Sequence, residues 1–343
     1  MNILHIIQNM NIGGAQTTLI NLISELSMDT HYIITYQIDS VQHRKLSEYN
    51  NIKLFVLKSA QEMLDILRKI PFDVVHYHWW PGLTVLNRMF VKMNKPVILT
   101  LQEQCAPPVF NDIFYVAGSE SNFKYLSNVK DDKKSLIYLG VNREKVVEKS
   151  NRDILECKSK TIKIGRVSTI IPTKIPLNIF EVFSQLHINK YNIEFYLYGE
   201  GDLQFVESLK RKSENFAHIN IIIDTNKNVM DKYSKLDVFL YWLPEGNTES
   251  FGLVIVEAML SKVPIIAQRA GAIPEIINNG YNGFLFDETN EINYYLSLLT
   301  NNTTRKRIVE NAYNTAVENF TSSIMAQKYR DLYINRIDVC SKE

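Results

Sequence analysis

Two carboxylates eight residues apart are the part of this sequence best placed to do chemistry. They are Glu249 and Glu257, within Asn247-Thr248-Glu249-Ser250-Phe251-Gly252-Leu253-Val254-Ile255-Val256-Glu257-Ala258-Met259-Leu260. Leu253, Val256, Glu257 and Leu260 recur at helical spacing, so Glu257 falls on a mostly apolar face, where a carboxylate is costly unless something pairs with it. Thr248 and Ser250 are placed to cap the helix start, and Gly252 lets a ligand approach the backbone amides. A helix N-terminus with uncovered amides is an anion site worth about 0.3–1 kcal/mol. The plain alternative is an ordinary capped helix with both acids in water. These residues alone leave the two readings level.

Other polar residues sit where strands should end. Gly13-Gly14-Ala15-Gln16 follows the first apolar run and permits close approach to a phosphate or sugar, or simply makes a tight turn. His76 and His78, in His76-Tyr77-His78-Trp79-Trp80, share one face of a strand. No third ligand stands at a suitable spacing, so zinc is disfavoured. Hydrogen bonds to sugar hydroxyls with an indole stacked on the ring, or plain strand-end packing, are the two readings left. Arg166 and Lys174 carry the charge and geometry that suit a diphosphate leaving group, although such residues in a loop are usually solvated. Gly199-Glu200-Gly201-Asp202 lacks the third glycine of a dinucleotide fingerprint. The chain has no Asp-x-Asp, which removes a common way of holding a divalent metal on a nucleotide sugar, and no GxSxG, Walker or CxxC motif.

The elements that must position these residues alternate along the chain. Strand-like runs at Ile3–Gln8, Tyr32–Tyr36, Ile52–Leu57, Asp73–Tyr77, Val97–Leu101, Ile113–Ala117 and Ser135–Tyr138 are separated by helical segments. Residues 142–160 are dense in charge and read as an exposed linker. The rhythm resumes at Ile162–Val167, Ile193–Tyr198, His218–Ile223, Val238–Trp242, Pro264–Ala267 and Gly283–Phe286, and a last helix begins at Thr321. The expected fold class is α/β, with two Rossmann-like parallel-sheet domains at 1–150 and 151–320 and a terminal segment at 321–343. Such a pair places a ligand in the cleft between the domains, at the carboxyl ends of the strands.

The chain has 343 residues, enough for two cores, with 45% apolar and 22% charged residues. A net charge of +1, with no polybasic half, gives no field for nucleic acid. Cys105, Cys157 and Cys340 are odd in number and scattered, which fits reduced thiols in the cytoplasm. The N-terminus lacks a signal-peptide pattern and no apolar run is long enough to span a bilayer. Peripheral contact with the inner face of a membrane stays open through residues 82–95, where Arg88, Lys92 and Lys95 punctuate an apolar helix.

In order along the chain, these motifs resemble the retaining GT-B glycosyltransferases of family 4. The resemblance runs from Gly13-Gly14-Ala15-Gln16 through Val75-His76-Tyr77-His78, Gly165-Arg166 and Gly199-Glu200-Gly201 to Glu249-Ser250-Phe251-Gly252-Leu253, Glu257-Ala258-Met259, Gly271-Ala272-Ile273-Pro274-Glu275 and Asn282-Gly283. The Glu-x7-Glu pair followed by Ala-Met is its most specific part.

The resemblance implies roles. Glu249 would contact the donor sugar near the reacting carbon; Gly14, Gly199, Phe251, Gly252 and Leu253 would line the donor site; Glu257 would accept the ribose hydroxyls. Arg166 and Lys174 would neutralise the departing nucleoside diphosphate, and Gly13, His76, His78 and Gln102 would lie on the acceptor or sugar side. The last helix would cross back onto the N-terminal domain.

Two departures stand out. Gln102-Glu103 occupies the place of a family His-Asp pair, and Gln102 cannot carry a proton. Arg166 and Lys174 are separated by seven residues where the family more often has four, so the intervening loop must bulge. The expected activity is metal-independent retaining transfer from a UDP- or GDP-sugar to a glycan or lipid-linked acceptor of a surface polysaccharide. The nucleotide sugar is the substrate and no cofactor is expected. A catalytically silent GT-B subunit and a GT-B UDP-sugar epimerase are the alternatives.

Overall fold

The computed structural model describes residues 1–11, 13–78, 83–149, 161–188, 191–216, 219–225 and 230–342. The chain divides into two compact units, Met1–Val141 with Thr321–Glu343, and Asn142–Phe320. Trp79 and Trp80, the expected stacking indoles, lie outside the described residues, as does Cys157.

The first unit contains β1 (Asn2–Ile6), β2 (Asn9–Met10), β3 (Thr30–Thr35), β4 (Gln37–Ile38), β5 (Ile52–Val56), β6 (Val74–Tyr77), β7 (Val97–Leu101), β8 (Ile113–Ala117) and β9 (Lys134–Leu136). Seven of these form one sheet in the order β5-β3-β1-β6-β7-β8-β9, with every pairing parallel. Strand residues alternate between its faces. Leu4, Ile6, Val75, Tyr77 and Leu99 pack with Met63, Leu67 and Phe90 from the helices Ala60–Leu67 and Leu83–Lys92. Ile3, Val74, Ile98 and Val116 face the other way, against Leu22 and Leu26 and against Met325, Ala326, Tyr329 and Tyr333. The last four belong to the C-terminal helix Ser322–Cys340, which lies beside the first helix, Gly14–Glu25.

That second face is not wholly apolar. Tyr329 and Tyr333, one helical turn apart, bring two hydroxyls onto the sheet. The Tyr333 hydroxyl lies 2.6 Å from His76 Nδ1, and Thr100 Oγ1 lies 2.6 Å from His76 Nε2 and 2.7 Å from the Tyr329 hydroxyl. Arg330 reaches Asp29 at 2.9 Å, and Asp29 also holds the N-terminal ammonium at 2.7 Å. Val141 and Thr321 form a parallel bridge where the chain leaves and re-enters this unit.

The second unit contains β10 (Thr161–Val167), β11 (Asn192–Tyr198), β12 (Asn220–Asp224), β13 (Val238–Tyr241), β14 (Ile265–Gln268) and β15 (Phe284–Phe286). Their order is β12-β11-β10-β13-β14-β15, again all parallel. In sequence rank within the unit this is 3-2-1-4-5-6, whose reversal lies between β10 and β13. A crevice outside the carboxyl ends of those two strands is where such sheets take ligands.

The expected exposed linker holds only in part over its described residues, of which Arg143, Glu144, Lys145, Val147 and Glu148 are exposed. Val146 and Lys149 are buried, and Lys149 Nζ donates to the Leu236 carbonyl at 2.7 Å and to Asp237 at 3.0 Å. A charged stretch looks solvated in sequence, but an ion pair docks this one on the second unit. Residues 150–160 lie outside the described ones. No helix among the described residues is long and apolar enough to cross a membrane.

Tyr333→Phe deletes one hydroxyl and leaves the enclosed His76 Nδ1 without its partner. We expect a loss of about 1–3 kcal/mol in urea unfolding, the scale of an orphaned buried polar group. An unchanged midpoint at unchanged slope would show that this bond does not hold the helix.

Candidate functional site

In the second unit the polar side chains gather at the strand-order reversal. β10 delivers Arg166 to its carboxyl end, 1% exposed, an extreme degree of burial for a permanent charge. Its guanidinium is satisfied from three directions. Nε donates to Ser168 Oγ at 3.1 Å, one terminal nitrogen donates to the Trp242 carbonyl, and the other donates to the Lys174 carbonyl at 2.6 Å. The ring of Tyr241 lies 4.1 Å from the guanidinium carbon, a cation–π contact on the remaining side. Burial lowers the pKa of Arg166, while Tyr241 and Glu249 act the other way. An arginine held like this stays charged. It is thus an enclosed cation bracing the loop that carries Lys174, whereas the sequence suggested an open one.

Lys174 and Glu249 meet. Lys174 Nζ donates to Glu249 Oε2 at 2.9 Å, and the Tyr241 hydroxyl donates to the same oxygen at 2.5 Å. Glu249 is almost enclosed and Lys174 half-buried, so the pair sits at the rim of the unit. Burial, and then the charge of Glu249, raise the pKa of Tyr241 far above the ordinary phenol value. The bulge expected between Arg166 and Lys174 takes a defined form. Ile170 bridges to Gly201, and the amides of Lys174 and Ile175 both donate to the Ile171 carbonyl at 3.0 Å, closing a helical turn.

Glycines allow these close approaches. Gly199 has φ +143, and a Cβ there would stand 2.0 Å from the Ser168 carbonyl oxygen. Gly271 has φ +56, and a Cβ there would fall 2.2 Å from the Glu249 carbonyl oxygen, whose acceptor role is taken by the Ala272 amide at 2.9 Å. Gly271 therefore sets where Glu249 stands.

Glu257 lies on the helix Leu253–Leu260, which is buried from Ile255 onward. The enclosed Tyr233 hydroxyl donates to its carboxylate. Burial raises its pKa from 4.5 to about 7, the Tyr233 bond opposing the shift. The helix begins at Leu253 behind Gly252, which has φ +97 and no side-chain cap. The expected capping by Thr248 or Ser250 is thus corrected: the left-handed glycine turns the chain into the helix. Phe251 sends its ring into the core, 5.7 Å from Phe320.

The first unit holds the remaining candidates. Gly13 and Gly14 begin the first helix, with the Thr17 amide donating to the Gly13 carbonyl at 2.9 Å, and a Cβ on Gly14 would meet open space. His76 and His78 share a face, their ring centroids 4.0 Å apart. His76 is not turned toward a ligand, because the C-terminal helix covers it and both its nitrogens have hydroxyl partners. His78 Nδ1 and both amide atoms of Gln102 are buried without a hydrogen-bond partner. The expectation that no third ligand accompanies His76 and His78 is corrected: His5, on the neighbouring strand, brings its ring nitrogen to within 4.8 Å of theirs, close enough for a metal ion, although both His76 nitrogens already have hydroxyl partners.

The structure thus joins Arg166, Lys174, Glu249 and Gly199 in one cluster, with Glu257 on the helix that follows Glu249. Tyr233, Tyr241, Ser168 and Gly271 were missed as site residues. Only Gly271, inside the Gly-Ala-Ile-Pro-Glu motif, carried a sequence signal.

Comparison with known proteins fits this geometry. Residues 147–315 match the family model described as glycosyl transferases group 1. An uncharacterized glycosyltransferase of Methanocaldococcus jannaschii, MJ1178, is 26% identical over 332 residues, covering 88% of each chain. The Escherichia coli O-antigen biosynthesis glycosyltransferase WclY is 21% identical over 367 residues, covering 98% of each. Anabaena Alr3699/HepE, crystallised with UDP and glucose, superposes with a TM-score of 0.81 at 18% identity over 98% of this chain and 100% of that one. The chain belongs to the glycosyl transferases group 1 family, GT4, and has the GT-B fold.

Proposed function

We propose that this glycosyltransferase moves a sugar from a UDP- or GDP-sugar to a glycan or lipid-linked acceptor in surface polysaccharide biosynthesis, with retention and without a metal ion. The observation that carries the reading is the Lys174–Glu249–Tyr241 cluster at the strand-order reversal. In it a cation and a carboxylate share one rim: Lys174 suits the leaving diphosphate and Glu249 the hydroxyls of the donor sugar. Arg166 supports both through the Lys174 carbonyl and Tyr241, in place of the direct phosphate contact that the family resemblance suggested. The amides at Gly252 and Leu253 begin a helix and lack intrahelical acceptors, which suits phosphate oxygens.

In this scheme the bond from the anomeric carbon to the diphosphate oxygen breaks, and the acceptor oxygen bonds to the same face of that carbon. The acceptor proton passes to the departing diphosphate. The protein's part is to stabilise the leaving charge, which accounts for most of the rate gain in many such reactions. The crystallised HepE, with its UDP and glucose, and the O-antigen role of the E. coli relative support the donor and pathway classes.

Glu257 is the candidate for the ribose hydroxyls, and its burial gives that role a pH signature. Its folded-state pKa, about 7, lies above the usual 4.5, so the protonated form favours the fold. That contribution is complete below pH 4.5 and is lost as pH rises through about 7. A diol that donates two hydrogen bonds is best received by the ionised form.

Three outcomes follow. In a thermal-shift panel of UDP, GDP, ADP and their sugars, one base stabilises the protein, and the matching sugar nucleotide is consumed. Glu249→Ala and Lys174→Ala each lower kcat about 100-fold or more while the fold persists, the scale of losing one charge-stabilising group. Silence across the whole panel would favour the non-catalytic subunit, and epimerised donor without transfer would favour the epimerase. Donor affinity falls as pH drops below about 7, by up to about tenfold per unit. Glu257→Gln flattens that profile and weakens binding above it by about 1–3 kcal/mol; a titration series with the same slope in both proteins would remove the ribose role.

A further inference from the structure

The first unit carries a chain of imidazoles that the transfer reading leaves unused. His5 on β1 and His31 on β3 are fully enclosed, and His78, just past β6, is nearly so. Their contacts run in one line. The Leu26 carbonyl oxygen lies 3.0 Å from His31 Nε2. His31 Nδ1 lies 3.0 Å from His5 Nε2, and His5 Nδ1 lies 3.2 Å from His78 Nε2. His78 Nδ1 ends the line, buried and without a partner.

The protons along this line are set from its far end. A carbonyl can only accept, so His31 Nε2 carries the hydrogen at that contact. A neutral imidazole has one N–H, so His31 Nδ1 must accept and His5 Nε2 must donate. The same step puts the hydrogen of His78 on Nε2 and leaves its Nδ1 bare. Burial favours the neutral form of all three rings, pushing His78 down to about 3 and lowering His5 and His31. A proton entering at His78 would reverse every bond and come to rest on His31. There Asp29 favours it and the N-terminal ammonium opposes it, and Asp29 is already paired with that ammonium and with Arg330. His76, beside His78, is also held neutral by burial.

We infer that His31 and His5 are positioning residues which, anchored on the Leu26 carbonyl, hold His78 in its Nε2–H form and present Nδ1 as an obligate acceptor for a hydroxyl of the acceptor substrate. The inference rests on the transfer reading for the identity of that hydroxyl. A phosphate or carboxylate oxygen is turned away, since it would face a bare lone pair. Gln102 points to the same chemistry. β6 and β7 are adjacent parallel strands, so His78 and Gln102 follow neighbouring carboxyl ends, and the partnerless Gln102 amide offers two donors and an acceptor. That set suits a neutral polyol.

Long-range nitrogen–proton NMR of the full chain with labelled histidine reads the tautomer directly. We expect His78 with protonated Nε2 and bare Nδ1, the one arrangement the line of contacts allows for neutral rings. A hydrogen on Nδ1 overturns the inference, and so does tightly bound zinc on His5 or His78. His31→Phe removes the anchor and gives a tautomer mixture at His78; a single retained tautomer in the folded variant shows that the chain does not set it. Should that variant not fold, the wild-type spectrum still decides.

The substrate role is read from KM, with the donor that the panel identifies and a soluble glycan to which its sugar is transferred. His78→Leu raises the acceptor KM about tenfold, the scale of one lost hydrogen bond, and leaves the donor KM unchanged. His78→Asn, which keeps an oxygen acceptor near the place of Nδ1, restores most of the loss. Equal acceptor KM in the wild type and His78→Leu overturns the role. A panel with no turnover sinks the transfer reading alone, since the NMR result is obtained on the free protein.

Discussion

The candidate site of the second unit depends on the enclosed cation Arg166. Arg166 draws three separate stretches of chain to one point: the end of its own strand through Ser168, the end of β13 through the Trp242 carbonyl, and the loop through the Lys174 carbonyl. A buried charge with unfilled hydrogen-bonding positions is expensive, so each of those carbonyls is held where the guanidinium needs it. Lys174 inherits its place from that demand, and Glu249 inherits its own from Lys174, Tyr241 and the absent Cβ of Gly271. Shortening Arg166 would release the loop as well as remove a charge.

Both sheets reverse their strand order beside their first strand, and both put polar residues at that reversal, but they stabilise them differently. In the second unit opposite charges meet at a half-open rim. In the first, imidazoles and hydroxyls meet in a buried layer on one face of the sheet, part of it under the C-terminal helix. The first arrangement suits the handling of charge that develops during a reaction. The second suits a fixed geometry that no nearby change of charge should disturb.

Much of this was legible in the sequence. Alternating runs located the sheet strands within a few residues, since burial on both sides of a parallel sheet leaves a continuous apolar signature. Period two correctly put His76 and His78 on one face. It could not say what covers that face, because Tyr333 arrives from 257 positions away. The Glu-x7-Glu pair was visible, but Tyr233 and Tyr241, the hydroxyls that hold those acids, look like ordinary strand and turn residues. The family resemblance marked the Arg166–Lys174 loop as unusually long; its bridge to Gly201 depends on pairing between separate segments. Which acceptors fill a guanidinium is likewise a tertiary fact, and this is why Arg166 read as an open cation.

The C-terminal helix has one more consequence, for how the chain is made. It covers the face of the first sheet that carries Ile3, Val74 and Ile98, yet in sequence it follows the whole of the second unit. On the ribosome the second unit has all its strands in hand before that face is closed. Order of synthesis and order of completion are therefore inverted between the two units: the first is begun before the second but closed after it, and until the helix Ser322–Cys340 emerges its sheet keeps an uncovered apolar surface of the kind chaperones hold.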